Sequence, residues 1–207
     1  MASVLFYLSR HPAAYARAVN EVRSTFQDVQ EIQQGSKLNS CTYVRACIDE
    51  SMRMSPSVGS SLLREVEAGG AVIDGDFIPP GYNVGTPIYA IHHNSAYFPD
   101  PFKFAPERWI VGEGQTTRES VDLALKAYIP FSYGPRSCLG KGMALTELLL
   151  TMATILWRLD FKVAEGDISG GHPSAVLGRH RPWEFQLQDH VTSANRGPLL
   201  HFRERRV

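Results

Sequence analysis

The segment 139–158 constrains this chain more than any other, because it is apolar on every side of a helix. Leu145, Leu148, Leu149, Met152, Ile155, Leu156 and Leu159 form one stripe, and Leu150, Ala153 and Trp157 make the other face apolar too. A helix that is greasy all round belongs inside a core, so other elements must close over it from several sides. Its longest apolar stretch, Leu148 to Trp157, has the length of a core helix and is too short to span a bilayer.

The rest of the chain supplies the covering elements. Residues 4–9 read as the tail of a helix, and His11-Pro12 starts another, with proline at a favoured first-turn position. Tyr15, Val19, Val22 and Phe26 recur at helical spacing and predict an amphipathic helix over 12–28. The polar stretch 27–37 reads as a loop, and Ser40 as the cap of a helix over 41–53 with the stripe Val44, Cys47, Ile48 and Ser51. Pro56 ends that helix. Residues 58–92 change character: short strand-like runs, including Tyr82 to Ile91, alternate with glycine and proline turns and predict a small sheet of hairpins. From His92 to Pro130 the chain is mostly an aromatic-rich, ordered loop, with one helix over 117–127 opened by a capping box of Thr116 and Glu119. After the apolar helix, 161–163 and 183–203 read as strands. The fold class that follows is mainly α with small β-sheets, an α+β arrangement.

Charge and cysteine content narrow the function classes. The 207 residues carry 21 Lys plus Arg and 21 Asp plus Glu, a formal net charge of zero. Nucleic acid as a main partner is excluded, since phosphate binding shows as a basic surplus. The three cysteines Cys41, Cys47 and Cys138 form no CxxC, which points to a reducing, intracellular setting. The run Val4 to Leu8 is too short for a signal-peptide core or a membrane anchor, and the chain opens in the middle of it without a cap.

The chemistry concentrates in Phe131-Ser132-Tyr133-Gly134-Pro135-Arg136-Ser137-Cys138-Leu139-Gly140, just ahead of the apolar helix. A helix N-terminus stabilises a thiolate. Gly134 and Gly140 allow a tight backbone and close approach of a flat ligand. Arg136 is a fixed positive charge suited to a carboxylate. Together with the aromatic Phe131, these features fit a haem axial ligand. A buried structural cysteine and a thiol nucleophile are the other readings open to Cys138. The nucleophile needs a partner histidine, and His92-His93 reads as a loop pair.

The ten residues match F-x-x-G-x-R-x-C-x-G, and the segment resembles the haem-binding signature of the cytochrome P-450 family. Glu50-Ser51-Met52-Arg53 is similar to that family's E-x-x-R, and Phe104-Ala105-Pro106-Glu107-Arg108-Trp109 to its P-E-R-W/F segment. The resemblance implies haem ligated by Cys138, with Phe131, Gly134, Arg136 and Gly140 around it. It implies a buried structural triad of Glu50, Arg53 and Arg108, although periodicity puts Glu50 and Arg53 opposite the Val44–Ile48 stripe. Arg64 is implied as a second haem-propionate contact, and Val58 to Leu63 and Thr192 to Ala194 as lining of a substrate pocket.

The resemblance covers nearly the whole chain, yet it corresponds to the C-terminal half of the family's fold. It implies that 1–207 is a partial domain whose N-terminal half is absent, with its cut edge at the capless start. No catalytic acid–alcohol pair is carried over, because the oxygen-activating helix has no counterpart here. Greasy surface exposed on that scale predicts aggregation or a partner covering the core. The implied activity is insertion of one oxygen atom from O2 into a small organic substrate, in the manner of fungal members that act on secondary metabolites. Electrons come from a cytochrome P-450 reductase or similar donor, so that NADPH acts only indirectly. Relatives often sit at the endoplasmic reticulum membrane. The alternative is a non-catalytic haem-binding or interaction remnant.

Overall fold

The computed structural model describes residues 1–205. Helix α1 (Ala2–Arg10) leads through His11 into α2 (Pro12–Thr25); the short α3 (Ser36–Asn39) follows, and then α4 (Thr42–Met54). Strands β1 (Arg64–Glu65), β2 (Ala71–Ile73), β3 (Asp76–Ile78) and β4 (Asn83–Val84) come next, then α5 (Ile88–His92), α6 (Arg118–Ala127) and the long α7 (Lys141–Arg158). The chain closes with β5 (Leu159–Val163), β6 (Leu187–Gln188), β7 (Ala194–Asn195) and β8 (Leu200–Glu204). Among the described residues every sheet is a two-stranded antiparallel ladder: β1 with β4, β2 nested inside as a hairpin with β3, β5 with β8, and β6 with β7. The β5–β8 ladder starts at Leu159 opposite Glu204 and so fastens the end of α7 to the last strand.

The α+β character agrees with the sequence, but the picture of an open half-fold is corrected. Val4, Phe6, Tyr7 and Leu8 of α1 are buried. Tyr7 stacks on Phe104, Phe6 packs on Phe185, and the Tyr7 hydroxyl bonds with Ser55 at 2.7 Å. The apolar opening of the chain is therefore core, joined to elements from both ends of the sequence. The principal cluster unites α1, α2, α4 and α7, and a satellite of Phe98, Ala124 and Ala127 sits under the long loop. Helix α7 is fully buried along Leu149, Met152, Ala153 and Leu156 only. Leu148, Leu150, Ile155 and Trp157 are half-buried, and Met143 is exposed, because α2 and α4 cover one side of the helix.

Three local expectations are corrected, two of them by longer-range forces. The stretch expected to be a strand up to Ile91 ends in α5, whose last carbonyl region is gripped by Arg53. The capping box of α6 uses Thr117 and Ser120, one residue later than expected. Helix α4 starts at Thr42 without a side-chain cap of its own. Glu21 of α2 caps it instead, its two carboxylate oxygens accepting the Tyr43 and Val44 N–H groups at 2.9 and 2.8 Å.

Two residues along α2, Arg23 does the converse at the end of α7. It donates to the carbonyls of Leu156 and Leu159 at 3.0 and 3.2 Å and pairs with Asp160 at 2.8 Å. Each charge thus meets the helix end of opposite partial charge and satisfies groups that lack intrahelical partners. Glu21→Ala is expected to lower stability by about 1–2 kcal/mol, the range of a lost N-cap. The drop is measurable as a lower urea midpoint, and Glu21→Gln should recover part of it.

Candidate functional site

The site is built outward from the end of α4. Its last turn carries Glu50 and Arg53, both 0% exposed. Arg53 Nε and Nη2 donate to the two oxygens of Glu50, each at 2.9 Å. Its remaining N–H groups donate to the carbonyls of His92 and Pro101 at 2.8 Å and of Lys103 at 3.4 Å, so all five are used. Glu50 also accepts from Arg108 Nε, Ala105 N–H and Trp109 Nε1, each at 3.0 Å. Glu107 accepts from the Tyr43 hydroxyl at 2.8 Å, so the segment Pro106–Trp109 is tied to α4 at three successive side chains.

A carboxylate in that position is dictated by its donors. Burial alone pushes the Glu50 carboxyl up, but the Arg53 charge and hydrogen bonds, with Arg108, hold it below its usual range. Ala105 and Trp109 stand in the Phe104–Trp109 segment, but the sequence assigns neither of them a bond to Glu50. Nothing local in the sequence marks Tyr43.

The network continues into the lead-in to the cysteine. His92 is 0% exposed at the end of α5. Its Nδ1 bonds with the Arg53 carbonyl at 3.1 Å, and its Nε2 accepts the Ile129 N–H at 2.9 Å. The pair His92-His93 is thus part of a packed helix end and no loose loop. Burial lowers the His92 pKa to about 3 and the His93 pKa to about 4. Tyr128 stacks on His92, and its hydroxyl donates to Asp49 at 2.9 Å.

Beyond Ile129 the chain turns into the loop. Ser132 and Gly134 take left-handed backbone conformations (φ 62° and 75°), which at Gly134 carries no steric cost. The Cys138 N–H donates to the Phe131 carbonyl at 2.9 Å and closes the loop three residues before α7 begins. Cys138 is exposed, as are Arg136 and Gly140, whereas Phe131 is half-buried against the core. A side-chain carbon at Gly140 would meet only the Cys138 sulfur, at 3.8 Å. Tyr133, Leu139 and Met143, within five residues of Cys138 in the chain, are strongly exposed.

Arg136 and Arg64 line one cleft of about 520 Å³ between the loop and the β1–β4 ladder, together with Leu62, Ile88 and Tyr133. Neither arginine forms a salt bridge among the described residues, and Cys138 does not line this cleft. Elsewhere the Ser193 N–H donates to the Ser57 carbonyl at 2.6 Å. Gly59, Ser60 and Ser193 line a second cavity of about 340 Å³, with Tyr89 and Leu187. Among the described residues no three His, Cys, Asp or Glu side chains gather as a metal site, and no helix is long and apolar enough to cross a membrane.

The family model described as Cytochrome P450 matches residues 1–177. The chain belongs to the cytochrome P450 family. It is 54% identical over 206 residues to Cytochrome P450 monooxygenase apf8 of Gibberella fujikuroi, covering 100% of this chain and 55% of that protein. It is 51% identical to Cytochrome P450 monooxygenase AKT7 of Alternaria alternata, covering 99% of this chain and 40% of the relative. Against Cytochrome P450 monooxygenase poxM of Penicillium oxalicum the identity is 47%, over 98% of this chain and 36% of the relative. The chain therefore spans about half the length, or less, of these relatives.

These matches correct the confinement of the likeness to a C-terminal half. The family match starts at residue 1 and the identity to apf8 extends over 100% of the chain. The P450 identity and its α+β fold thus belong to practically the whole 207-residue chain, including α1, which the core needs. Family membership implies a haem-thiolate cofactor.

Two outcomes follow from the buried groups of this P450 chain. Glu50→Ala leaves Arg53 unpaired in the core and is expected to cost about 3–5 kcal/mol in chemical denaturation; Arg108→Ala, whose side chain is 13% exposed, should cost less. His92 and His93 titrate at 6.5 when unfolded and far lower when folded. Their stabilisation is thus complete above about pH 6.5 and is lost as the pH falls toward their folded values, by up to about 1.4 kcal/mol per pH unit for each. Denaturation midpoints between pH 7 and 4.5 should decline, and His92→Gln should flatten that decline.

Proposed function

We propose that this chain forms the cofactor-binding face of a haem-thiolate monooxygenase, with Cys138 as the axial iron ligand. The observation that carries the reading is an exposed thiol held on a closed loop ahead of α7, beside the open face left by Gly140. The residues fit a flat apolar macrocycle bearing two carboxylates. Leu139, Tyr133 and Met143 offer exposed apolar side chains from the loop and the first turn of α7, and Arg64 and Arg136 offer two guanidinium groups without a carboxylate partner in one cleft, Arg64 donating to the Leu63 carbonyl at 2.8 Å. The names of the relatives, each a cytochrome P450 monooxygenase, support the same reaction class for the whole protein.

Each residue then has a defined task. Cys138 would hold the iron through its sulfur, just ahead of the first-turn N–H groups of α7 and their positive dipole end. Arg64 and Arg136 would hold the propionates from their shared cleft. Gly140 keeps the approach to the sulfur open, and Phe131 packs the loop onto the core. Haem, when bound, would supply the oxygen chemistry. The Glu50–Arg53–Arg108 triad sets the geometry beneath the loop and touches no reacting atom. Segments 57–60 and 192–194, joined by the Ser193–Ser57 bond, flank the cavity that suits a small organic substrate. Electrons reach the site from a cytochrome P-450 reductase or similar donor, with NADPH as the indirect source.

The test is to load the purified chain with haem, reduce it and add carbon monoxide. The strongly red-shifted Soret band of a thiolate–iron–CO complex is expected, and Cys138→Ala should abolish it. A folded chain that binds haem without that band, or a Cys138→Ala variant that keeps it, overturns the assignment. Arg64→Ala and Arg136→Ala should each weaken haem retention about 10- to 100-fold, the range of a lost charged hydrogen bond.

A further inference from the structure

We propose that His92 is a positioning residue for the Cys138 loop, holding the chain that leads into it through the Ile129 N–H. The proposal rests on the reading of Cys138 as the iron ligand and adds to it the element that fixes where the thiol stands.

The ring is tied on both edges. The Ile129 N–H can only donate, so the Nε2 that receives it at 2.9 Å carries no proton. The proton then sits on Nδ1 and is donated to the Arg53 carbonyl at 3.1 Å. The His92 carbonyl in turn accepts from Arg53 Nη1 at 2.8 Å, so His92 and Arg53 hold each other in both directions. Tyr128 on one side, with ring centroids 5.5 Å apart, and Phe98 at 6.3 Å on another leave the imidazole no other place.

The path onward is short. The Ile129 carbonyl accepts the Ser132 N–H at 3.0 Å, and the Phe131 carbonyl accepts the Cys138 N–H at 2.9 Å. The buried charge network at Glu50 and Arg53 therefore reaches the cysteine loop through one imidazole ring. A phenyl ring could fill the same volume, but it would leave the Ile129 N–H without an acceptor two residues before Phe131. His92 touches neither the thiol nor the cleft of Arg64 and Arg136, so its effect on them passes through the backbone.

The experiment compares His92→Phe, His92→Asn and His92→Gln with the parent chain. Phenylalanine keeps the volume without the acceptor. Asparagine can reach the Arg53 carbonyl but is too short for Ile129, and serves the same comparison if the phenylalanine variant does not fold. Glutamine can present its carbonyl oxygen where Nε2 lies. Amide hydrogen exchange in the haem-free chain should quicken about fivefold or more over 129–138 in the phenylalanine and asparagine variants, the ratio one lost hydrogen bond allows. Exchange in α2 and the second half of α7 should stay as in the parent, and glutamine should restore protection.

In haem-loaded protein the phenylalanine and asparagine variants should shift part of the CO complex from the red-shifted thiolate band to the blue-shifted band of a neutral thiol. Glutamine should reverse the shift. Parental exchange over 129–138 in the phenylalanine and asparagine variants overturns the proposal, as does a glutamine variant that behaves like them. A parent chain without the red-shifted band defeats the Cys138 assignment, and the haem-free exchange data still decide whether His92 holds the loop.

Discussion

The carboxylate of Glu50 has no water, and the surrounding fold is arranged to make that tolerable. An ionised group at 0% exposure needs close opposite charge and a full set of donors. Arg53, three residues along the same helix, supplies one cation, and Arg108, Ala105 and Trp109 complete the set from 55 to 59 residues away. Arg53 is equally demanding, and draws in the carbonyls of His92, Pro101 and Lys103. The long irregular stretch from α5 to α6 has little regular structure to order it. It is ordered because it supplies the hydrogen bonds that two buried charges require. Net stability gained this way is small, since desolvation offsets attraction, while the geometry becomes hard to vary.

The same logic fixes the helices that carry the loop. Glu21 and Arg23 stand two residues apart on α2 and meet helix ends of opposite sign, the start of α4 and the end of α7. Helix α4 is thereby held at its N-terminus by Glu21 and at its last turn through Arg53. Helix α7 is held at its C-terminus by Arg23 and by the Trp157 indole, which donates to the Phe26 carbonyl at 3.0 Å. Polar bonds between helix ends are directional in a way that apolar stripes are not, so they determine how far each helix slides along its neighbour.

What the sequence revealed follows from how local each signal is. The cysteine loop, the E-x-x-R spacing and the apolar stretch 139–158 are contiguous, and all three were legible. The burial of Glu50 and Arg53 was legible through the motif resemblance alone, because helical periodicity records apolar faces and assigns a Glu and an Arg to solvent. Only Arg108 and Trp109, distant in sequence, turn that face inward. Tyr82 to Ile91 is rich in strand-forming residues, yet Ile88–His92 winds into a helix whose end is gripped by Arg53. Ser40 looked like a cap because it stands in the right place, whereas the groups it was to satisfy are taken by Glu21 from another helix. His92 had no signal at all, since a doubled histidine before a turn is indistinguishable from a surface pair until its two ring nitrogens have partners.

The thiol of Cys138 combines two properties that usually exclude one another, exposure and fixed position. Exposed loops with left-handed residues such as Ser132 and Gly134 are ordinarily mobile. Here the loop's own bonds are few, and its stiffness comes from its margins. On one side, Tyr128 is anchored to Asp49, Ile129 to His92 and Phe131 to the core; on the other, α7 begins within three residues. A cysteine in a buried pocket would be equally still, but no flat ligand could lie across it. One on an unanchored loop would be accessible without a defined axis. Placing the thiol at the surface and its supports in the interior meets both requirements, and it gives a reason why the buried Glu50–Arg53 network is linked through His92 to the lead-in of an exposed cysteine loop.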